Sequence, residues 1–371
     1  MFLAKNPIGP WSGLKSLVPM LLAVLLHLGA SGSARANLVI VPTFDSTITG
    51  DPNAATIEST INNLIAIYEA SFSDSVTVTI TFQEMSTGLG QSSTYYKTSY
   101  SYSSFRSRLV SHASTANDAI ALAHLPATTA NPVNGSTTVE LTLPNARALG
   151  ISGSSPPAGQ TDSIIGLNMS LMNLSRSSIN PSLYDLESVA AHEINEVLGL
   201  SSALDGLNNG DPAPTGDVGT LDLFRYDSSG NRSFNTTATT QAYFSLDGIK
   251  DMVQYNQNAG GDFHDWFSYP YGGSPPRVQD AFGTPGVTPD LTVELIGLDV
   301  IGYHLLVPTA AIAKVSTNKE SISWSPATPG FYLVENTNLP STNWVATVNG
   351  TNNPVIVTNT AVRKFYRVFH P

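Results

Sequence analysis

The chain has 371 residues, 17 basic against 28 acidic, and no cysteine. The missing thiols exclude disulfides, Cys-type zinc sites and thiol catalysis, and the acidic balance disfavours nucleic acid and anionic membrane surfaces as partners. Residues 1–36 hold three basic and no acidic groups, so the other 335 residues carry 14 basic against 28 acidic; that length suffices for a large core and a second domain.

Lys5 and Lys15 flank the start of an apolar run over 17–29, which small residues and Ala34-Arg35-Ala36 follow. This is the pattern of a signal peptide cleaved after Ala36. The run is short for a spanning helix, and Pro19 and His27 interrupt it. The mature chain is therefore expected outside the cytoplasm, extracellular or periplasmic, with no membrane contact after cleavage.

Residues 38–44 read as a short buried strand. Over 54–72, Ile57, Ile61, Leu64, Ile65, Tyr68 and Phe72 fall on one helical stripe. Residues 75–82 alternate strictly, as a half-buried strand does. This β-α-β opening implies an α+β domain with a crossover. A helix is expected over 105–112, strands over 120–125, 138–143 and 163–168, and a helix over 186–198. Residues 201–289 are rich in Gly and Asp and show little periodicity, and a helix over about 290–298 closes the domain.

Val307-Pro308-Thr309 reads as a linker. Beyond it, 321–325, 331–335, 344–348, 355–357 and 364–368 read as short strands between Pro, Gly and Asn turns. The expected organisation is a signal peptide over 1–36, a main domain over 37–306 and a small all-β module over 307–371. Trp324, Trp344, Phe365 and Tyr366 are the expected core of that module.

The most informative stretch is Ala190-Ala-His-Glu-Ile-Asn-Glu-Val-Leu-Gly199. At about 100° per residue, Glu196 lies near 40° from His192 and Glu193 near 100°. Leu186, Ala190, Ile194 and Val197 gather at roughly 120° to 200°, as a core stripe. His192 and Glu196 thus share a face one turn apart, beside the core. An imidazole nitrogen and a carboxylate oxygen at that spacing can bind one zinc ion at about 2 Å each. Glu193 stands next to them, where a carboxylate can take a proton from water activated by the metal. The same residues also fit an ordinary i,i+4 surface pair.

The stretch resembles the zincin signature H-E-x-x-H and, with Gly199, the metzincin extension H-E-x-x-H-x-x-G-x-x-H. His192, Glu193 and Gly199 match; Glu196 replaces the second His and Ser202 the third ligand. More closely, residues 37–305 resemble a bacterial family of secreted metalloprotease-like proteins with an H-E-I-x-E-V-x-G core. The shared segments are 221–226, 243–248, 260–266 and 280–282. The resemblance implies a metzincin-like mixed sheet with an active-site helix. It also implies a zinc endopeptidase acting on protein or peptide substrates, with Glu193 as general base. The 307–371 module resembles small β-sandwich modules appended to exported bacterial proteins.

Metal ligands expected from this reading are His192, Glu196 and a third group. His264 is the only histidine between the motif and the closing helix, and Asp205 and Asp222 are carboxylate alternatives. Met252 and Tyr255 are candidates for a Met-turn and its tyrosine. His112, His124, His304 and His370 read as structural or outside the cleft. Asp205, Asp211, Asp217, Asp222 and Asp227 could together bind calcium, but they do not match the EF-hand spacing and an ordinary acidic loop is the better reading. The alternative to a peptidase is a catalytically inactive, secreted binding protein on a zincin-like scaffold.

Overall fold

The computed structural model describes residues 37–210, 215–237, 239–325, 327, 331–338, 344–358 and 363–369. The expected signal peptide, Asp211 and His370 lie outside the described residues. Among them, no helix is long and apolar enough to cross a membrane. The architecture is mixed α+β.

Strand β1 (Val39–Phe44) leads through a single turn, α1 (Ser46–Thr49), into α2 (Ala54–Ser71) and then β2 (Thr77–Glu84). β1 and β2 pair in parallel, from Val39 with Thr77 to Phe44 with Phe82. The expected helical stripe of α2 is buried at Ile57, Ile61, Leu64, Ile65 and Tyr68. The alternation in β2 buries Val78, Ile80 and Phe82.

Two strands follow that the sequence reading omits, β3 (Gly90–Thr94) and β4 (Tyr96–Ser101). Both are polar and lack apolar alternation, so only their partners define them. Next come α3 (Tyr102–His112), α4 (Ala116–Ala123), β5 (Thr138–Thr142), α5 (Leu143–Ala148), β6 (Ser163–Leu167), β7 (Met172–Asn173) and β8 (Tyr184–Asp185). The main sheet runs β1-β2-β6-β3, which leaves β3 at its edge, antiparallel to β6.

The strand expected over 120–125 is instead part of α4. Thr115 and Asp118 form a capping box that starts this helix, and a short apolar run cannot by itself tell helix from strand.

Helix α6 (Leu186–Leu198) has the expected bounds, with Leu186, Ala190, Ile194 and Val197 wholly buried. Asp185 caps its start by accepting from the Ser188 amide at 3.1 Å. Gly199 ends it at φ +123°, where a Cβ would press on Asn145 and Ile301. Tyr68 of α2 donates to Asn195 Oδ1 at 2.7 Å, tying α2 to α6 through the core.

The Gly- and Asp-rich region is ordered around aromatic rings. It contains β9 (Arg225–Asp227), β10 (Ala242–Phe244) and β11 (Val253–Gln254), paired antiparallel in the order β11-β10-β9. Trp266 packs against Phe244 and Tyr255, with ring centroids 5.7 and 5.2 Å away. The closing helix α7 (Val293–Val300) starts later than expected. The Glu294 carboxylate accepts from the Thr292 amide at 2.9 Å and fixes that start.

The expected linker runs directly into a strand, β12 (Thr309–Ser316). β13 (Lys319–Ser325), β14 (Tyr332–Asn336), β15 (Val345–Ala346), β16 (Val355–Thr358) and β17 (Phe365–Phe369) follow. They form two antiparallel sheets, β12-β13-β16 and β15-β14-β17. Ile322, Trp324, Leu333, Val355 and Val357 make an apolar cluster of their own, with Tyr366 and Val368 packed on it. Trp344 is outside this cluster, its ring under the Arg367 guanidinium at 4.4 Å, and Phe365 is only half-buried. Because the two apolar clusters are separate, a 37–307 chain should keep a cooperative thermal melt. Loss of that melt would show that the two parts share a core.

Candidate metal centre

Helix α6 presents His192 and Glu196 toward a cavity of about 610 Å³, whose lining also includes Glu193, Asp265, Gly90 and Ser92. His192 Nε2 lies 3.4 Å from Glu196 Oε1 and 3.4 Å from Asp265 Oδ1. From the other side, His264 Nε2 lies 3.3 Å from Glu196 Oε1 and 3.2 Å from Asp265 Oδ1. His192, Glu196 and Asp265 each offer a ligand atom within 4.8 Å of the others, and His264 touches two of the three. Zinc ligands sit about 2.0–2.2 Å from the ion, so neighbouring ligand atoms should be separated by about 2.9–3.5 Å, depending on the angle. All four contacts fall in that range.

The outward-facing atoms of both imidazoles behave differently. His192 Nδ1 bonds to the Val278 carbonyl at 3.1 Å, and His264 Nδ1 to Asp205 Oδ2 at 2.7 Å. Each Nδ1–H is thus used on an outer partner and each Nε2 faces the centre, which is how metal-ligating histidines are oriented. His264 Nε2 is buried and makes no hydrogen bond. Carboxylate oxygens of Glu196 and Asp265 stand 3.3 and 3.2 Å from it, so either a proton or an ion at the centre would satisfy it. The donor set of two imidazoles and two carboxylates suits zinc.

His264 and Asp265 are adjacent in sequence, so on a strand they would point to opposite faces. They converge because residues 262–265 form a turn. Asp205 Oδ1 accepts the Phe263 amide at 2.6 Å, and Arg225 donates to the Phe263 carbonyl at 2.7 Å. The Asn256 amide donates to the Asp265 carbonyl at 2.7 Å. Gln279 Nε2 donates to Asp265 Oδ1 at 2.9 Å, and Asn195 of α6 donates to Gln279 Oε1 at 2.9 Å. A buried chain from Tyr68 through Asn195 and Gln279 to Asp265 thus connects the helix to the loop.

The electrostatics fit a cation. Burial alone would raise Glu196, but the His192 and His264 imidazoles beside it hold its carboxyl well below the usual range. Burial pushes Asp265 up to about 7, against the pull of both histidines. Burial disfavours charge on His192, yet Asp265 and Glu196 outweigh it and hold its pKa well above the ordinary value. Asp205 and Asp265 do the same for His264. Protons and a metal ion compete for the same two nitrogens.

Glu193 is buried beside this group, and burial together with the Glu196 carboxylate raises its pKa strongly. Its carboxylate lies under Gly90 of β3. A Cβ at that glycine would overlap Glu193 Oε1 and come within 3.0 Å of Val189. Gly90→Ala should therefore leave metal binding intact while displacing Glu193, and any hydrolytic rate should fall at least tenfold. A rate equal to wild type would show that the carboxylate has no role.

Of the expected site residues, the fold brings His192, Glu193, Glu196 and His264 together. Asp205 stands one layer behind, holding His264. Asp222 lies apart, accepting from Ser202 Oγ at 2.5 Å and from the amides of Ala203 and Gly219; Ser202, at the third metzincin position, is used on that bond. Met252 and Tyr255 do not line the cavity. The described acidic residues of the calcium expectation are engaged in separate turns and form no common group. Asp217 accepts the Ser99 amide, and Asp227 accepts those of Ser229 and Asn231. Asp265 is the site residue the sequence reading missed; its one signal was adjacency to His264. No family model, no curated protein and no solved structure matches this chain.

Proposed function

We propose that this chain is an exported zinc endopeptidase of zincin-like build, with His192, Glu196, His264 and Asp265 holding the metal and Glu193 as general base. The observation that carries this reading is that His192, Glu196 and Asp265 each offer a ligand atom within 4.8 Å of the others, with His264 Nε2 against two of them and a buried glutamate beside the group. When bound, zinc would polarise a scissile carbonyl and acidify water. The protein's own share is positional. Glu193 stands where it can take a proton from water and pass it to the leaving amine. The edge strand β3 offers unpaired backbone groups along the cavity, where an extended peptide can add as a further strand. Ser92 donates to Glu196 Oε2 at 2.6 Å, which leaves Oε1 for the centre.

Within the same proposal, residues 1–36 are a signal peptide, 37–306 a metzincin-like unit and 307–371 an appended β module. The apolar run over 17–29 and the Ala34-Arg35-Ala36 pattern support export; the separate apolar cluster supports the module. The test is hydrolysis of a quenched-fluorescent peptide library by the purified mature chain with one equivalent of zinc. Absence of cleavage across the library would refute the peptidase reading.

One observation favours the alternative of an inactive binding protein. Catalytic zinc sites usually keep three protein ligands and one open position, whereas closed four-ligand sites are structural. Were His192, Glu196, His264 and Asp265 all to bind, they would fill a zinc shell and leave no open position for water.

A further inference from the structure

At a separate place in the fold, the ends of three segments meet: Asp74 after α2, His112 at the end of α3 and His304 after α7. Each offers one ligand atom, and those atoms lie within 4.8 Å of one another. The imidazoles of His112 and His304 are 5.0 Å apart between centroids and inclined by 38°. Asp74 is buried, and its two oxygens accept from His304 Nδ1 at 2.7 Å and from the His304 amide at 2.8 Å. His112 Nδ1 is buried and has no hydrogen-bond partner.

The backbone around the group is tightly framed. Phe72 and Leu305 form a β-bridge. The Ser73 amide donates to the His304 carbonyl at 3.1 Å, and the Leu306 amide to the Ser71 carbonyl at 2.8 Å. The surroundings are acidic. Asp118 and Asp299 both act electrostatically on His304, and Asp299 Oδ1 is buried without a partner. Two tilted imidazoles 5.0 Å apart leave few ways to satisfy the unpartnered His112 Nδ1. A proton can serve only one ring, whereas a divalent ion serves both and also answers the surrounding carboxylates.

We propose that Asp74, His112 and His304 form a second divalent transition-metal site, of the zinc class, which ties the C-terminal end of α3 to the segment that closes the main domain. Histidine nitrogen with a carboxylate selects zinc, nickel, cobalt or copper over calcium or magnesium. The half-exposed edge of His304 leaves room for water to complete the shell. The role is structural: none of the three residues lines the cavity of the first centre. The proposal does not depend on the peptidase reading.

The experiment uses the mature chain carrying His192→Ala, which disables the first centre, loaded with zinc and dialysed. Elemental analysis should find one ion per chain, and zinc should raise Tm by several degrees. Adding His112→Ala should remove both the ion and the shift. Adding His304→Gln in place of His112→Ala, which keeps a hydrogen bond to Asp74, should do the same. The His112→Ala single variant should hydrolyse peptides at the wild-type rate if the chain is a peptidase. A His192→Ala chain with no zinc and no Tm shift would overturn the proposal, as would one whose ion survives both second substitutions.

Discussion

Glu193→Gln should keep its metal and lose hydrolysis by on the order of 10²-fold or more, the contribution of a general base. The amide is nearly isosteric, so it fits beneath Gly90 as the carboxylate does, but it cannot accept a proton from water. Glu193 is none of the four converging groups, so metal content should not change. The charged carboxylate is also destabilised by burial and by Glu196. Replacing it by a neutral group should therefore leave the fold intact or raise Tm slightly. Zinc content and peptide hydrolysis, measured on the same preparation, check the result. Stoichiometric zinc with an unchanged rate would preserve the centre and refute the mechanism.

His264→Ala should weaken metal affinity by at least about 100-fold, because it removes a ligand from the ion itself. Asp205→Asn should weaken it less, by about 10- to 100-fold, the usual effect of losing the partner that orients a ligating histidine. If His264 were only a loop histidine, neither change would alter affinity. The pH dependence has a definite sign. His192 and His264 have raised pKa values, and their Nε2 atoms must be deprotonated to bind an ion. Affinity should therefore begin to fall above the ordinary histidine range, keep falling as pH drops, and recover as pH is raised. Competition titration with a zinc chelator at several pH values measures both effects.

The parts of the fold legible in the sequence were those with strong apolar periodicity. The stripe of α2, the alternation of β2 and the bounds of α6 followed from side-chain spacing alone. The run containing Ile120 and Leu125 was misread because eight residues of helix carry too little pattern, and the Thr115–Asp118 capping box decides the outcome. β3 was invisible because an exposed edge strand has no apolar face to bury. That omission mattered, since β3 forms one wall of the cavity. The helical half of the site was legible because i,i+4 geometry places His192 and Glu196 together whatever the tertiary fold. The other half depends on a turn held by Asp205, Arg225 and Gln279, which lie 59, 39 and 15 residues from His264. No local pattern encodes contacts of that range. His112, read as structural, and His304, read as outside the cleft, lie 192 residues apart and meet only through tertiary packing.

The central claim is that α6 and the 262–265 turn jointly hold one metal ion. It is tested most directly by the metal content of the zinc-loaded, dialysed mature chain compared with its His192→Ala/His264→Ala double variant. The double variant should hold one ion fewer per chain, with its secondary structure unchanged by circular dichroism. Equal metal content in the two, or none in either after zinc is supplied, would contradict it.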